Sequence, residues 1–259
     1  MAKYNLRIFA AMKQIYPDIV QAKKANKKLL AILLDPDKID RSSLQSLVAK
    51  INTSPATHLF IGGSHVESTD IDDLIVTFRQ KCSLPVVLFP GNPSQISAVA
   101  NGILFLSLIS GRNPDYLIEH QVKAAPILKK STLEVIPTGY ILIESGHPTA
   151  VERISETKPL DRDNVDQIVA TAQAGELLGQ QLIYLEAGSG AKNPVPAEVV
   201  KSVSQSIDIP LIVGGGITTS RAIDNAYNAG ADLVVIGTAF ENDYHFFDKI
   251  FQNIEFKTE

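Results

Sequence analysis

Gln181-Leu182-Ile183-Tyr184-Leu185-Glu186-Ala187-Gly188-Ser189-Gly190 is a short apolar run that ends in Tyr184 and Glu186 and then breaks into a loop of small residues. Two later stretches repeat the design: Pro210-Leu-Ile-Val-Gly214-Gly215-Gly216 and Leu233-Val-Val-Ile-Gly237-Thr238. In each, a strand apolar throughout delivers glycines at its C-terminal end. Glycine lets the backbone approach a ligand closely and turn its N–H groups inward. Three such ends side by side predict a phosphate-binding rim, of the kind that the last βα-loops of a (β/α)8 barrel build.

Working outward, the same alternation extends to the N-terminus. Leu29–Leu34 is an apolar strand ending at Asp35-Pro36-Asp37-Lys38. His58–Ile61 leads to Gly62-Gly63-Ser64, and Pro85–Phe89 leads to Pro90-Gly91-Asn92. Gly102–Ser107 follows after only a short segment, in which 94–99 gives a turn or two at most. The fifth strand region, Leu133–Ile143, holds Pro137 and Gly139, which predict a bend or two short strands. Amphipathic helices are expected at about 69–80, 113–128, 163–178, 196–205, 219–229 and 241–254, and another begins near Asp40. Strands apolar on both faces, alternating with helices, imply a parallel sheet. Eight units favour a closed α/β barrel, a modified (β/α)8 TIM barrel whose third helix is missing or replaced by a short segment. The expectation is one barrel domain over 1–259, with an N-terminal helical extension over 1–28 that carries Leu6, Phe9, Ala10, Lys13, Ile15 and Ile19. The polar loop 144–161 is long enough to serve as a lid or binding loop.

Composition narrows the function. The chain has 259 residues and 45% hydrophobic residues, enough for a sizeable core. A formal charge of −4 argues against a nucleic-acid partner. One cysteine, Cys82, excludes an intramolecular disulfide and points to a reducing cytoplasm. No apolar run reaches the roughly 20 residues of a spanning helix, so stable membrane insertion is not expected.

At the barrel mouth, Asp35, Ser64, Asn92, Ser107, Glu186, Gly214 to Gly216, Gly237 and Thr238 should converge. Asp35 and Asp37 offer hard oxygen donors that suit Mg²⁺, with Ser64 as a second ligand, or they end a strand and cap a helix. Glu186 closes an otherwise apolar strand, where a carboxylate is costly unless it is used, so it is the candidate general base. Tyr184 can donate to the same ligand or simply fill the core.

Taken in order, Leu33-Leu-Asp-Pro-Asp-Lys38, Ile61-Gly-Gly-Ser64, Leu88-Phe-Pro-Gly91, Tyr184 to Gly190, Val213-Gly-Gly-Gly-Ile217 and Ile236-Gly-Thr238 resemble the geranylgeranylglyceryl phosphate synthases. The resemblance spans about residues 29–240. It is closest to the branch, found in archaea and some bacteria, that writes the first motif as Leu-Asp-Pro-Asp-Lys. Other members carry a lysine just before the first aspartate, where this chain has Leu34. The resemblance implies a barrel lacking its third helix and a prenyltransferase that joins sn-glycerol 1-phosphate to a polyprenyl diphosphate. It implies Mg²⁺ on Asp35 and Ser64, Glu186 as base and Tyr184 orienting the glycerol. The glycerol phosphate would be held by Tyr184, Leu185, Glu186, Ala187, Gly188, Ser189, Gly190, Gly214, Gly215, Gly237 and Thr238. It also implies a homo-oligomer, a dimer or hexamer. The helix gap after the third strand is the expected place for the prenyl chain, lined by Val87, Phe89, Phe105 and Tyr140. The competing reading is a phosphosugar isomerase or lyase on the same kind of barrel, with Asp35 and Glu186 as its acid and base.

Overall fold

A computed structural model of the chain describes residues 14–63 and 71–251. Helix α1 (Ile15–Lys24) precedes β1 (Leu29–Leu34), α2 (Leu44–Thr53), β2 (His58–Ile61), α3 (Ile71–Lys81) and β3 (Val86–Leu88). A single 3-10 turn, Pro93–Gln95, is the only helical segment between β3 and β4 (Gly102–Leu108). A π turn at Asp115–Glu119 runs into α4 (His120–Leu128), and β5 (Glu134–Leu142) and α5 (Ala150–Ser155) follow. The chain continues through α6 (Val165–Leu177), β6 (Leu182–Glu186), α7 (Ala197–Ser204), β7 (Leu211–Gly214), α8 (Ser220–Asn228) and β8 (Leu233–Ile236). Two short helices, α9 (Thr238–Asn242) and α10 (Phe246–Phe251), close the described residues.

The eight strands pair in chain order, and β8 returns to β1, so the sheet closes into a barrel. All eight pairings are parallel. Because strand side chains alternate faces, each strand feeds two apolar layers. One set, including Ile32, Ile61, Leu88, Ile183, Leu185 and Val213, packs outward against the helices. The other, including Ala31, Phe60, Val87, Leu104, Ile136, Tyr184 and Ile212, fills the interior.

The interior is sealed at its base by α1. Ile15 and Ile19 are buried and join the interior cluster. The helix N-terminus leaves backbone N–H groups without partners inside the helix, and the Glu134 carboxylate accepts two of them, from Ile15 at 2.6 Å and Tyr16 at 2.7 Å. Lys23 pairs with Asp232 at 3.1 Å on the far side. The expected positions Leu6, Phe9, Ala10 and Lys13 lie outside the described residues.

Two expectations are corrected here. Strand β5 runs unbroken through Pro137 and Gly139. Proline lacks an N–H, but its carbonyl still accepts from Gln181 N–H at 2.8 Å, so the ladder toward β6 survives. The last helix, expected as one piece from 241, is split into α9 and α10 at Asp243. The missing helix after β3 is as expected.

Candidate active site

A cavity of about 460 Å³ opens at the C-terminal ends of the strands. Register explains what faces it. Tyr140 pairs with Tyr184 and then Ile212, and one step nearer the mouth Leu142 pairs with Glu186 and then Gly214. Tyr184 and Glu186 are two residues apart, so both point inward. Tyr184 is fully buried in an aromatic floor. Its ring centroid lies 5.3 Å from that of Tyr140 and 5.5 Å from that of Phe89. The Tyr184 hydroxyl sits beside the Glu186 carboxylate and favours its charged form, yet it makes no hydrogen bond of full geometry. It is a buried donor at the cavity wall, with the Glu186 carboxylate beside it.

Glu186 is 5% exposed, and Oε1 accepts the Gly188 N–H at 2.6 Å. Burial pushes its carboxyl up to about 7, while the Gly188 N–H and the Tyr184 and Tyr140 hydroxyls pull the other way. The ordinary value is 4.5, so between about pH 4.5 and 7 the folded chain holds a proton that the unfolded chain has released. The contribution of this group is fully present below that window and lost above it, a cost of about 3 kcal/mol at pH 8. Glu186→Gln keeps an acceptor for Gly188 and removes the charge. Its melting temperature at pH 8 should exceed that of the unmodified chain by about 5 °C or more. The two should converge near pH 4.5, and equal melting at pH 8 would refute the assigned burial cost.

Two of the glycines, Gly214 and Gly215, make room for these two side chains. A Cβ on Gly214 would strike the Tyr184 hydroxyl, and one on Gly215 would strike Glu186 Oε1. Gly215 has φ +82°, a left-handed backbone that side-chain-bearing residues seldom adopt. Gly188, at φ +99°, lies against Thr149, which caps α5. Loops after β6 and β8 meet where Ser189 Oγ and Thr238 Oγ1 lie 3.2 Å apart. Gly188, Ser189, Gly190, Gly215, Gly237 and Thr238 all line the cavity. Leu185, Ala187 and Gly214 do not. Gly214 is buried against the Tyr184 hydroxyl, Leu185 and Ala187 are buried in the outer layer, and the Ala187 N–H is taken by the Gly214 carbonyl at 3.0 Å.

Across the mouth, Asp35 ends β1 and lines the cavity. Its Oδ1 accepts the Asp37 N–H at 3.1 Å, so the carboxylate both caps the following 3-10 turn and faces the opening. Gly63 is packed against it, since a Cβ there would lie 3.3 Å from Asp35 Oδ2. Ser64 lies outside the described residues. Among the described residues no group of three His, Cys, Asp or Glu side chains could enclose a metal. The Asp35 carboxylate at the edge of the cavity is a hard oxygen donor of the kind that could hold Mg²⁺ together with substrate phosphates. Two expected members stand elsewhere. Asn92 lines the adjoining groove rather than the cavity, and Ser107 donates to the Leu117 carbonyl at 2.6 Å.

That groove, about 90 Å³, lies where the 3-10 turn replaces a helix. Phe89, Phe105 and Tyr140 line it as expected, with Leu104 and Leu106. Val87 does not: it belongs to the same interior layer as Phe89 but lies two residues deeper along the strand. Gly63, Phe89, Tyr140, Val151 and Ile154 belong to both hollows, so groove and cavity are continuous. Val151 and Ile154 come from α5, which places part of the long polar loop as a wall between the two. Sequence reasoning missed Lys38 and Glu241, which also line the cavity. Glu241 belongs to a short helix with no motif to mark it.

The PcrB family model matches residues 22–255. A geranylgeranylglyceryl phosphate synthase of Flavobacterium johnsoniae is 68% identical, with 90% of this chain and 96% of that protein covered. One from Zunongwangia profunda is 50% identical over 89% of this chain and 98% of its own length. The crystal structure of (S)-3-O-geranylgeranylglyceryl phosphate synthase from Thermoplasma acidophilum, in complex with sn-glycerol-1-phosphate, superposes with a TM-score of 0.85 at 32% identity, covering 91% of this chain and 95% of that one. With a family match over nearly its whole length and relatives this similar, the chain belongs to the PcrB family, alongside the geranylgeranylglyceryl phosphate synthases.

Proposed function

We propose that this protein is a prenyltransferase that joins sn-glycerol 1-phosphate to geranylgeranyl diphosphate, forming an ether and releasing diphosphate. The observation that carries the reading is Glu186, a buried carboxylate in the wall of a glycine-lined cavity with which an apolar groove is continuous. The cavity suits a small phosphate compound and the groove suits a hydrocarbon chain. The bond between the allylic carbon and the diphosphate oxygen breaks, with its electron pair going to diphosphate. The glycerol hydroxyl oxygen bonds to that carbon, and Glu186 takes the hydroxyl proton. Tyr184 orients the glycerol through its hydroxyl, which lies beside Glu186 at the cavity wall. Backbone around Gly188 to Gly190, Gly214, Gly215, Gly237 and Thr238 holds the glycerol phosphate. Asp35, with Ser64 as second donor, would hold Mg²⁺, which when bound offsets charge on the departing diphosphate.

Two further parts of the reading are a cytoplasmic location and a homo-oligomer, dimer or hexamer. Exposed Ile118, Val122 and Ile127 on and beside α4 support the second, and a lone cysteine the first. Among the described residues, no helix is long and apolar enough to cross a membrane.

The direct test supplies Mg²⁺, geranylgeranyl diphosphate and either sn-glycerol 1-phosphate or sn-glycerol 3-phosphate, with the ether product read by mass. Product from the 1-phosphate is expected. None from either would shift the reading to a phosphosugar isomerase or lyase. Asp35→Asn should abolish the Mg²⁺ response of turnover, and an unchanged metal titration would remove Asp35 as the ligand.

A further inference from the structure

We propose that Lys38 is the side chain that receives the diphosphate leaving group, with Glu241 as its positioning residue. This rests on the prenyltransferase reading and adds a role that reading leaves open. The bond-breaking step delivers an electron pair to an already anionic diphosphate. The described walls of the cavity carry three carboxylates, Asp35, Glu186 and Glu241, against one cationic side chain, Lys38. An ammonium at that place offsets charge where it develops.

The geometry shows how it is held. Lys38 Nζ donates to Glu241 Oε2 at 3.0 Å and lies 3.5 Å from Asp35 Oδ2. Glu241 Oε1 accepts the Asp35 backbone N–H at 2.8 Å. One carboxylate therefore fixes both the loop after β1 and the ammonium that the loop carries. The Lys38 side chain is 49% exposed while that of Glu241 is 10% exposed, so the clamp is sheltered and the cation is open to the cavity. An ammonium has three donors, and these partners leave at least one for a diphosphate oxygen. Glu241 also sits one turn along from Thr238, which touches Ser189 on the other side of the opening. The contacts of Lys38 are to Glu241 and Asp35 and not to the glycine-rim residues that would hold the glycerol phosphate. No proton moves in this step; the ammonium donates a hydrogen bond to the oxygen that gains the electron pair.

The same contacts would also strap the β1 loop to α9, and a strap alone would not distinguish one anion from another. The test therefore titrates inorganic diphosphate with Mg²⁺, and separately sn-glycerol 1-phosphate, onto the whole chain by calorimetry. Lys38→Gln should weaken diphosphate binding about 10- to 100-fold, the scale of a lost charge-assisted hydrogen bond, and leave glycerol phosphate within about twofold. Lys38→Arg should recover most of the loss. A half-exposed ion pair adds little to stability, so these variants should fold. Unchanged diphosphate affinity in Lys38→Gln, or equal loss of both ligands, overturns the assignment. Glu241→Gln decides the positioning role by its sign. Looser diphosphate binding supports it, whereas tighter binding, as expected from merely removing a nearby negative charge, overturns it. Wild-type chain that binds glycerol phosphate but not diphosphate overturns Lys38 alone, and binding of neither overturns the function on which it rests.

Discussion

Glu186→Gln is expected to lower turnover by about 10²- to 10⁴-fold, the range that a positioned general base contributes, while glycerol phosphate binding stays within several-fold. Glutamine has nearly the shape of glutamate and can still accept the Gly188 N–H, so the loop beside it has no reason to move. What is lost is a group that can take a proton. The base works only when ionised, and burial sets its carboxyl at about 7. The kcat/KM of the unmodified enzyme should therefore rise with pH and level off above an inflection near 7. The variant should lack that inflection and run flat at its low level. Wild-type-like turnover in Glu186→Gln, or an inflection near the ordinary carboxylate value of 4.5, would take the proton-accepting role away from this residue. The stability of the fold pulls in the opposite direction, since the same burial makes ionised Glu186 a cost to the native state. A residue that weakens the fold at the pH where it works is what a catalytic group in a closed barrel mouth is expected to be.

Most of the barrel was legible because its strands are buried on both faces. Leu29–Leu34 and His58–Ile61 have the predicted bounds, since a run apolar on both faces is bordered by residues that cannot continue it. The gap after β3 was legible for the converse reason: 94–99 is too short to hold a helix. The interior was harder. Val87 and Phe89 differ by two positions and look alike in sequence, yet Val87 fills the barrel while Phe89 reaches both groove and cavity. That difference depends on depth along the strand, which no local pattern carries. Glu186 stood out because a lone carboxylate interrupts an apolar run. Lys38 ends a recognisable motif but carried no role of its own, and Glu241 did not stand out, because charged residues on a loop and a short helix are ordinary there. Their meaning arises only when β1 and β8 pair and bring residues 203 positions apart to 3.0 Å.

Gly215→Ala should be nearly as damaging as the loss of the base, though Gly215 has no side chain to lose. Its backbone, at φ +82°, lies in the left-handed region, where a Cβ costs about 1–2 kcal/mol before any contact is counted. The added methyl would strike Glu186 Oε1 and stand only 2.6 Å from the Gly188 nitrogen and 2.8 Å from that of Ala187. Those atoms are the carboxylate, the N–H that holds it and the start of the glycine loop. Neither backbone nitrogen can retreat without breaking the strand end, so the carboxylate must turn away and give up the Gly188 N–H. Turnover should fall by about 10²-fold or more, since misplacing a reacting group by an ångström is enough for that. Glycerol phosphate binding should weaken as well, because Gly215 belongs to the rim. The direction of a pH shift gives the sharper signature. The Gly188 N–H favours the ionised form of Glu186, so its loss should move the kcat/KM inflection above 7. Gly190→Ala is the matched control. It shares the left-handed conformation at φ +70° but has nothing within 4 Å of an added Cβ. Its turnover should stay within about tenfold of wild type with the inflection in place, because strain alone is worth about 1–2 kcal/mol. If both variants lose turnover equally and neither inflection moves, backbone strain accounts for the loss, and the close approach of Gly215 to the Glu186 carboxylate has no part in tuning it.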